Sequence, residues 1–121
     1  MFVCFVGYAP AHAANDPAVE YGIVVGNATR VYNAGWQMHI CGLRSDRWFD
    51  TFKRNMWLNL TAMKEQFASQ SKDRNEFERR SQAINLPGPQ FPNRATCDRL
   101  ANSPTAEVVD KAYDFMSGGY R

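Results

Sequence analysis

The chain has 121 residues, of which 45% are apolar and 21% charged, and its formal net charge is +2. That is the size of one domain with its own core, and no apolar run approaches the roughly 20 residues of a membrane-spanning helix. Basic and acidic residues are interleaved, as in Lys64-Glu65 and Lys72-Asp73-Arg74. No basic stripe of the kind that nucleic acid demands is formed, so nucleic acid is not an expected partner.

Residues 1 to 13 carry no acidic or basic side chain except His12, and they end in Ala11-His12-Ala13, just before the polar Asn15-Asp16. An apolar stretch closed by small residues two apart is the pattern of a secretory signal, with cleavage expected after Ala13. The initial Lys or Arg of such a signal is missing, so the segment reads as a truncated one. The competing reading is a buried N-terminal strand that packs Val3, Phe5 and Tyr8. The mature part, 14 to 121, is expected to be a single helical domain.

Cysteine usage points the same way. Of Cys4, Cys41 and Cys97, removal of the signal leaves one pair, as in an exported domain with one disulfide. A Cys41–Cys97 bridge would close a long loop and contribute about 4 kcal/mol by chain entropy. The alternative is two buried thiols in a cytosolic protein.

Asp16 and Pro17 suit the N-cap and first position of a helix. From there to Gly42, Tyr21, Val25, Ala28, Tyr32, Trp36 and His39 recur at steps of three and four. Gly22, Gly26 and Gly35 weaken this helix and imply close approach by another. Gly22 and Gly26 have the spacing of a membrane dimer motif, but their surroundings are too short and polar for it. A second helix begins at Ser45-Asp46. Its apolar stripe is Phe49, Phe52, Met56, Leu60, Met63 and Phe67, with Trp48 and Trp57 beside it and Lys53, Arg54, Asn59 and Lys64 opposite or at the flanks.

After a break near 69–71, residues 70–80 are almost wholly polar and read as a solvated helix. Lys72 with Glu76, Glu76 with Arg80 and Arg74 with Glu78 stand at pairing distance along it. Phe77 and Ile84 are its only large apolar residues. The proline-rich crossing 86–94 is expected to be extended, with Leu86 and Phe91 pinned to the core. A short helix carrying Cys97 follows over 94–102. Ser103-Pro104 opens the last helix, which is expected to bury Val108, Ala112 and Phe115 beside Val109 and Met116 and to end at Gly118-Gly119. The fold class is therefore all-α, a four- to five-helix domain pinned by one disulfide.

No arrangement for catalysis emerges. His39 lies near Met38 and Cys41, but residues one or two apart on a helix point to different faces, so no metal site is expected. CxxCH, paired CxxC, GxSxG and phosphate-loop patterns are all missing. Asp46 with Asp50 has an exposed spacing, where solvation is the ordinary state. Asn27-Ala-Thr and Asn59-Leu-Thr match the glycosylation sequon, but both fall inside predicted helices and read as chance.

Surface chemistry remains. Trp48 and Trp57 are nine residues apart, about 180° round a helix, so both cannot centre one buried stripe. Exposed tryptophan beside arginine is the composition of an interface hot spot. Trp48, Trp57, Arg47, Arg54 and Phe77 are thus the candidate partner-binding residues, with no cofactor and no metal. The layout resembles that of small bacterial periplasmic helical proteins, among them effector-immunity proteins and acid-stress chaperones; no residue role carries over. The expected function is binding of another periplasmic protein, as inhibitor, immunity protein or chaperone, without catalysis. Alternatives are an accessory subunit of a periplasmic or membrane-associated enzyme complex, or a hydrophobic-ligand carrier with a cavity lined by Met56, Met63 and Phe52. A hydrolase using Asp46, Asp50 or His39 is the weak enzymatic alternative.

Overall fold

In the computed structural model, which describes residues 16–86 and 88–118, helix α1 spans Pro17–Ile40. The Asp16 carboxylate accepts a hydrogen bond from the Ala18 N–H at 2.9 Å, and Pro17 follows as the first helical residue. At the other end Gly42 takes φ +77°, a conformation that favours glycine. There the Leu43 N–H reaches the Met38 carbonyl and the Gly42 N–H that of His39, which closes the helix in a Schellman turn. The signal-like segment 1–13, with Cys4, lies outside the described residues.

The turn after Gly42 leads into α2, Asp46–Gln70, capped by the Ser45 hydroxyl on the Trp48 N–H at 3.1 Å. The remaining helices are α3 (Arg74–Gln82), α4 (Arg94–Ala101) and α5 (Pro104–Gly118). Asp73 caps α3 and Asn93 caps α4 through their side-chain oxygens. The described residues form an all-helical fold, with no strand among them.

Ring contacts fix how the helices lie. Tyr32 meets Phe49 and Phe52, while Tyr21 meets Phe67, so α1 and α2 run antiparallel. Asp110 with Arg44, Tyr113 with Trp48, and Ser117 with Asn55 align α5 along the first half of α2 in the same direction. Helix α1 touches every other helix. Cys41, its C-cap, meets Cys97 of α4 at disulfide distance, with the Cα atoms 5.5 Å apart. The core is built from the apolar stripe of α2 (Phe49, Phe52, Met56, Met63 and Phe67) against Tyr21, Val24, Ala28, Val31 and Met38 of α1. At Gly35 the ring of Phe52 takes the space of a side chain: a Cβ there would stand 2.5 Å from Cε2 of Phe52. The other two glycines differ from expectation. Gly22 has ordinary space beside Ile84, and Gly26 faces open space.

Several expectations are corrected. Asn59 belongs to the buried face of α2, with 0% exposure, and neither atom of its amide finds a hydrogen-bond partner. Helix α5 buries Val109, Ala112 and Met116 but leaves Val108 and Phe115 exposed. Its inward stripe is therefore turned from the expected one, because Tyr113 has to reach Trp48. The Ser103 hydroxyl is buried without a hydrogen-bond partner and does not cap α5. Phe91 is no core pin. It is 80% exposed and rests edge-on against Trp36 at 5.0 Å. The charges of α3 pair across helices rather than along their own: Arg80 with Asp16, Arg74 with Glu65 and Lys64 with Glu78.

Candidate interaction surface

The stripe that α2 turns inward fixes what it turns outward. Side chains at i, i+3, i+4 and i+7 share a face, so burial of Phe52, Met56 and Met63 directs Arg47, Arg54, Trp57 and Thr61 to solvent. All four are exposed. Trp57 is 65% exposed and its neighbour Leu58 50%. The Thr61 hydroxyl donates to the Trp57 carbonyl at 2.8 Å, so it bonds back to its own helix. Among the described residues neither Arg47 nor Arg54 enters an ion pair. Lys53, one turn before Trp57, stands 5.6 Å from the centre of the Phe49 ring.

Trp48 occupies the other side of the helix. It lies nearly parallel to Phe52 at 4.8 Å and to Tyr113 at 5.1 Å, with the Arg44 guanidinium 5.8 Å from its ring centre. Arg44 also pairs with Asp110 and donates to the Leu43 carbonyl. Half-buried in this stack, Trp48 joins α2 to α5 and is not presented beside Trp57. Phe77 is corrected as well. At 2% exposure, with its ring 5.9 Å from that of Tyr21, it anchors α3 to the core and offers no surface to a partner. Of the five candidate residues, the structure brings Arg47, Arg54 and Trp57 onto one exposed face and separates Trp48 and Phe77 from it. Leu58 and Lys53 were not among those candidates. Leu58 had a signal in the sequence, since it is a leucine outside its helix's apolar stripe.

The residues considered for catalysis are placed otherwise. The His39 ring stacks on Phe49 at 4.8 Å, and its Nε2 stands 3.6 Å from Asp46, beyond hydrogen-bond reach. Its Nδ1 is buried with no hydrogen-bond partner. Met38 is buried in the core, and Cys41 is engaged with Cys97. No group of three His, Cys, Asp or Glu side chains is placed to hold a metal ion among the described residues. Met56, Met63 and Phe52 are packed in the core.

A cleft of about 400 Å³ lies elsewhere, between the first turn of α1 and the α2–α3 junction, lined by Pro17, Ser71, Lys72, Glu76 and Phe77 among others. Asp16 and Arg80 pair at its rim. The hydrogen bond from Arg80, and then that from the Ala18 N–H, hold the Asp16 carboxyl below its ordinary value. Asp16 and Asp73 already satisfy backbone donors of α1 and α3 there. The cleft thus presents mixed charges, of which Asp16 and Arg80 engage each other and Asp73 engages a backbone N–H of α3. In the core against Phe77, burial and then the charge of Glu78 raise the Tyr21 phenol above its usual value.

No family model matches the chain, and neither does any curated protein or solved structure.

Proposed function

We propose that this protein is an exported, non-catalytic binding module that captures another protein of the periplasm through the outward face of α2. Trp57 is the anchor, with Arg54, Arg47 and Leu58 around it. One observation carries this reading: a tryptophan 65% exposed on a helix whose phenylalanines and other tryptophan are turned inward or stacked. A tryptophan in water gains nothing from that position, whereas truncating a hot-spot tryptophan at the centre of an interface costs about 2 kcal/mol or more. Export is supported by Ala11-His12-Ala13 and by the meeting of Cys41 with Cys97. No described helix is long and apolar enough to cross a membrane. An accessory subunit would act in the same way, with an enzyme as the captured partner.

Photo-crosslinking tests the reading. With p-benzoylphenylalanine at position 58 in the host, irradiation is expected to give one discrete heavier adduct. The adduct should be lost in Trp57→Ala, whose thermal midpoint is unchanged because the side chain is not in the core. No adduct, or one equally strong with the cross-linker at the exposed Ala101 of α4, would overturn it.

A further inference from the structure

The stretch between α3 and α5 is attached more lightly than the elements on either side of it. Of α4, only Leu100 is buried. In the crossing before it, Phe91 rests edge-on against Trp36, and the Gln37 amide donates to the Gln90 carbonyl at 2.9 Å. Helix α4 touches α1 and α5 but neither α2 nor α3. Among the described residues, no ion pair joins 88–102 to the rest of the chain. Its other side-chain hydrogen bonds are internal: Asn93 caps Thr96, and the Asn102 amide donates to the Asp98 carbonyl. The neighbours are held without it. Phe77 and Ile84 pack α3 and its exit onto the core, while α5 buries Val109, Ala112 and Met116 and stacks Tyr113 on Trp48. What chiefly ties the stretch down is the meeting of Cys97 with Cys41, both of them half-exposed.

We infer that 88–102 is a strap latched by the Cys41–Cys97 bridge, and that reduction by a protein dithiol releases it and uncovers the last turns of α1 around Trp36. This rests on the export in the proposed function, which supplies the oxidising compartment where the bridge forms, and it adds a regulation. A thiolate of the dithiol attacks one bridge sulfur, and the other sulfur leaves as a thiolate and takes a proton. The second thiol of the dithiol then displaces the remaining cysteine from the mixed disulfide. Two electrons pass to the protein, the dithiol departs as a disulfide, and Cys41 and Cys97 end as thiols. The strap then retains one buried leucine, one ring edge and one exposed hydrogen bond against the conformational entropy of the whole segment. A helix of 8 residues does not persist in water once its packing is gone. Leu100 is the only residue of the buried core that the strap supplies, so the other four helices keep their packing.

Hydrogen exchange on the full chain, bridged and then reduced with dithiothreitol, tests the latch. In the reduced chain the amides of α4 should exchange about tenfold faster or more, with α2 and α5 still protected after α4 has exchanged. The Trp36 indole N–H resonance should move, and that of Trp48 should stay. A methylene cross-link between the two sulfurs, which dithiothreitol does not cut, should keep α4 protected. Unchanged protection of α4 in the reduced chain would mean that Leu100 and Phe91 hold the strap unaided. Exchange of all the helices together would make the bridge a support of the whole fold. Either result overturns the inference, as does loss of protection in the cross-linked chain. Alkylation of free thiols in the host separates this inference from the reading beneath it. If the bridge is closed there and reduction leaves the strap in place, the latch falls and the binding module stands. If both thiols are free in every molecule, the export falls and the latch with it.

Discussion

The two ends of the α1–α2 hairpin are held by different forces. At the turn end, Cys41 meets Cys97, Trp48 stacks between Phe52 and Tyr113, and Arg44 lies over Trp48 while pairing with Asp110. At the open end, α3 is laid across α1 and α2 by one buried ring, Phe77, and by ion pairs that water reaches. Aromatic packing and a covalent link are indifferent to salt and acid. Exposed ion pairs are each worth little and are weakened by both. The molecule therefore has a firm end and a conditional end, and α2, which carries the proposed binding face, extends from one to the other.

The largest effect is expected from breaking the firm end. Cys41→Ser/Cys97→Ser removes a constraint on a 56-residue separation and should cost about 4 kcal/mol in denaturant unfolding, before any relief of native strain. If the loss is below about 1 kcal/mol, the aromatic stack alone holds that end. Phe77→Ala should follow at about 3 kcal/mol, as usual for a buried ring. Hydrogen exchange should show the loss concentrated in α3 and the first turn of α1, and a loss spread evenly over all five helices would erase the proposed contrast.

A third comparison uses two glycines of one helix. Gly35→Ala drives a methyl group into Phe52 and should destabilise by about 1 to 3 kcal/mol. Gly26→Ala meets nothing and should stabilise by roughly 1 kcal/mol through helix propensity. Equal effects from the two would contradict the fit of the Phe52 ring against Gly35. The smallest effect concerns acid. The folded Asp16 carboxyl is depressed by Arg80, so its contribution is fully present above the unfolded value of about 3.9 and is lost as pH falls through the lower folded value. Exchange protection in the first turn of α1 and in α3 should decline below about pH 4. The decline should be smaller in Asp16→Asn, which keeps the cap but not the charge.

Much of this architecture was legible because it is written in local chemistry. Asp16-Pro17, Ser45 and Gly42 act through neighbours a few residues away, and the stripe from Phe49 to Phe67 needs only helical periodicity. What escaped depends on distant partners. The charges of α3 pair with Asp16, Glu65 and Lys64 because α3 folds back, which spacing within 70–80 cannot convey. On α5, Val108 and Phe115 are as apolar as Val109 and Met116, so periodicity offered two overlapping stripes and the stack on Trp48 selected one. Asn59 was misread because polarity is ordinarily a sign of exposure. Of the candidate site, Trp57 was legible through its 180° offset from Trp48; which tryptophan faces outward was decided by Tyr113.

The buried amide of Asn59 also bears on how the protein can be made. Asn59-Leu60-Thr61 is a glycosylation acceptor by sequence, and its side chain is fully enclosed in the fold. A sugar-transferring enzyme can reach that nitrogen only while the chain is still unfolded, and a glycan attached then has no room inside the core. Passage through a eukaryotic secretory pathway would set glycosylation against folding at this residue, and each modified molecule would be denied its core. A bacterial envelope without that modification imposes no such contest.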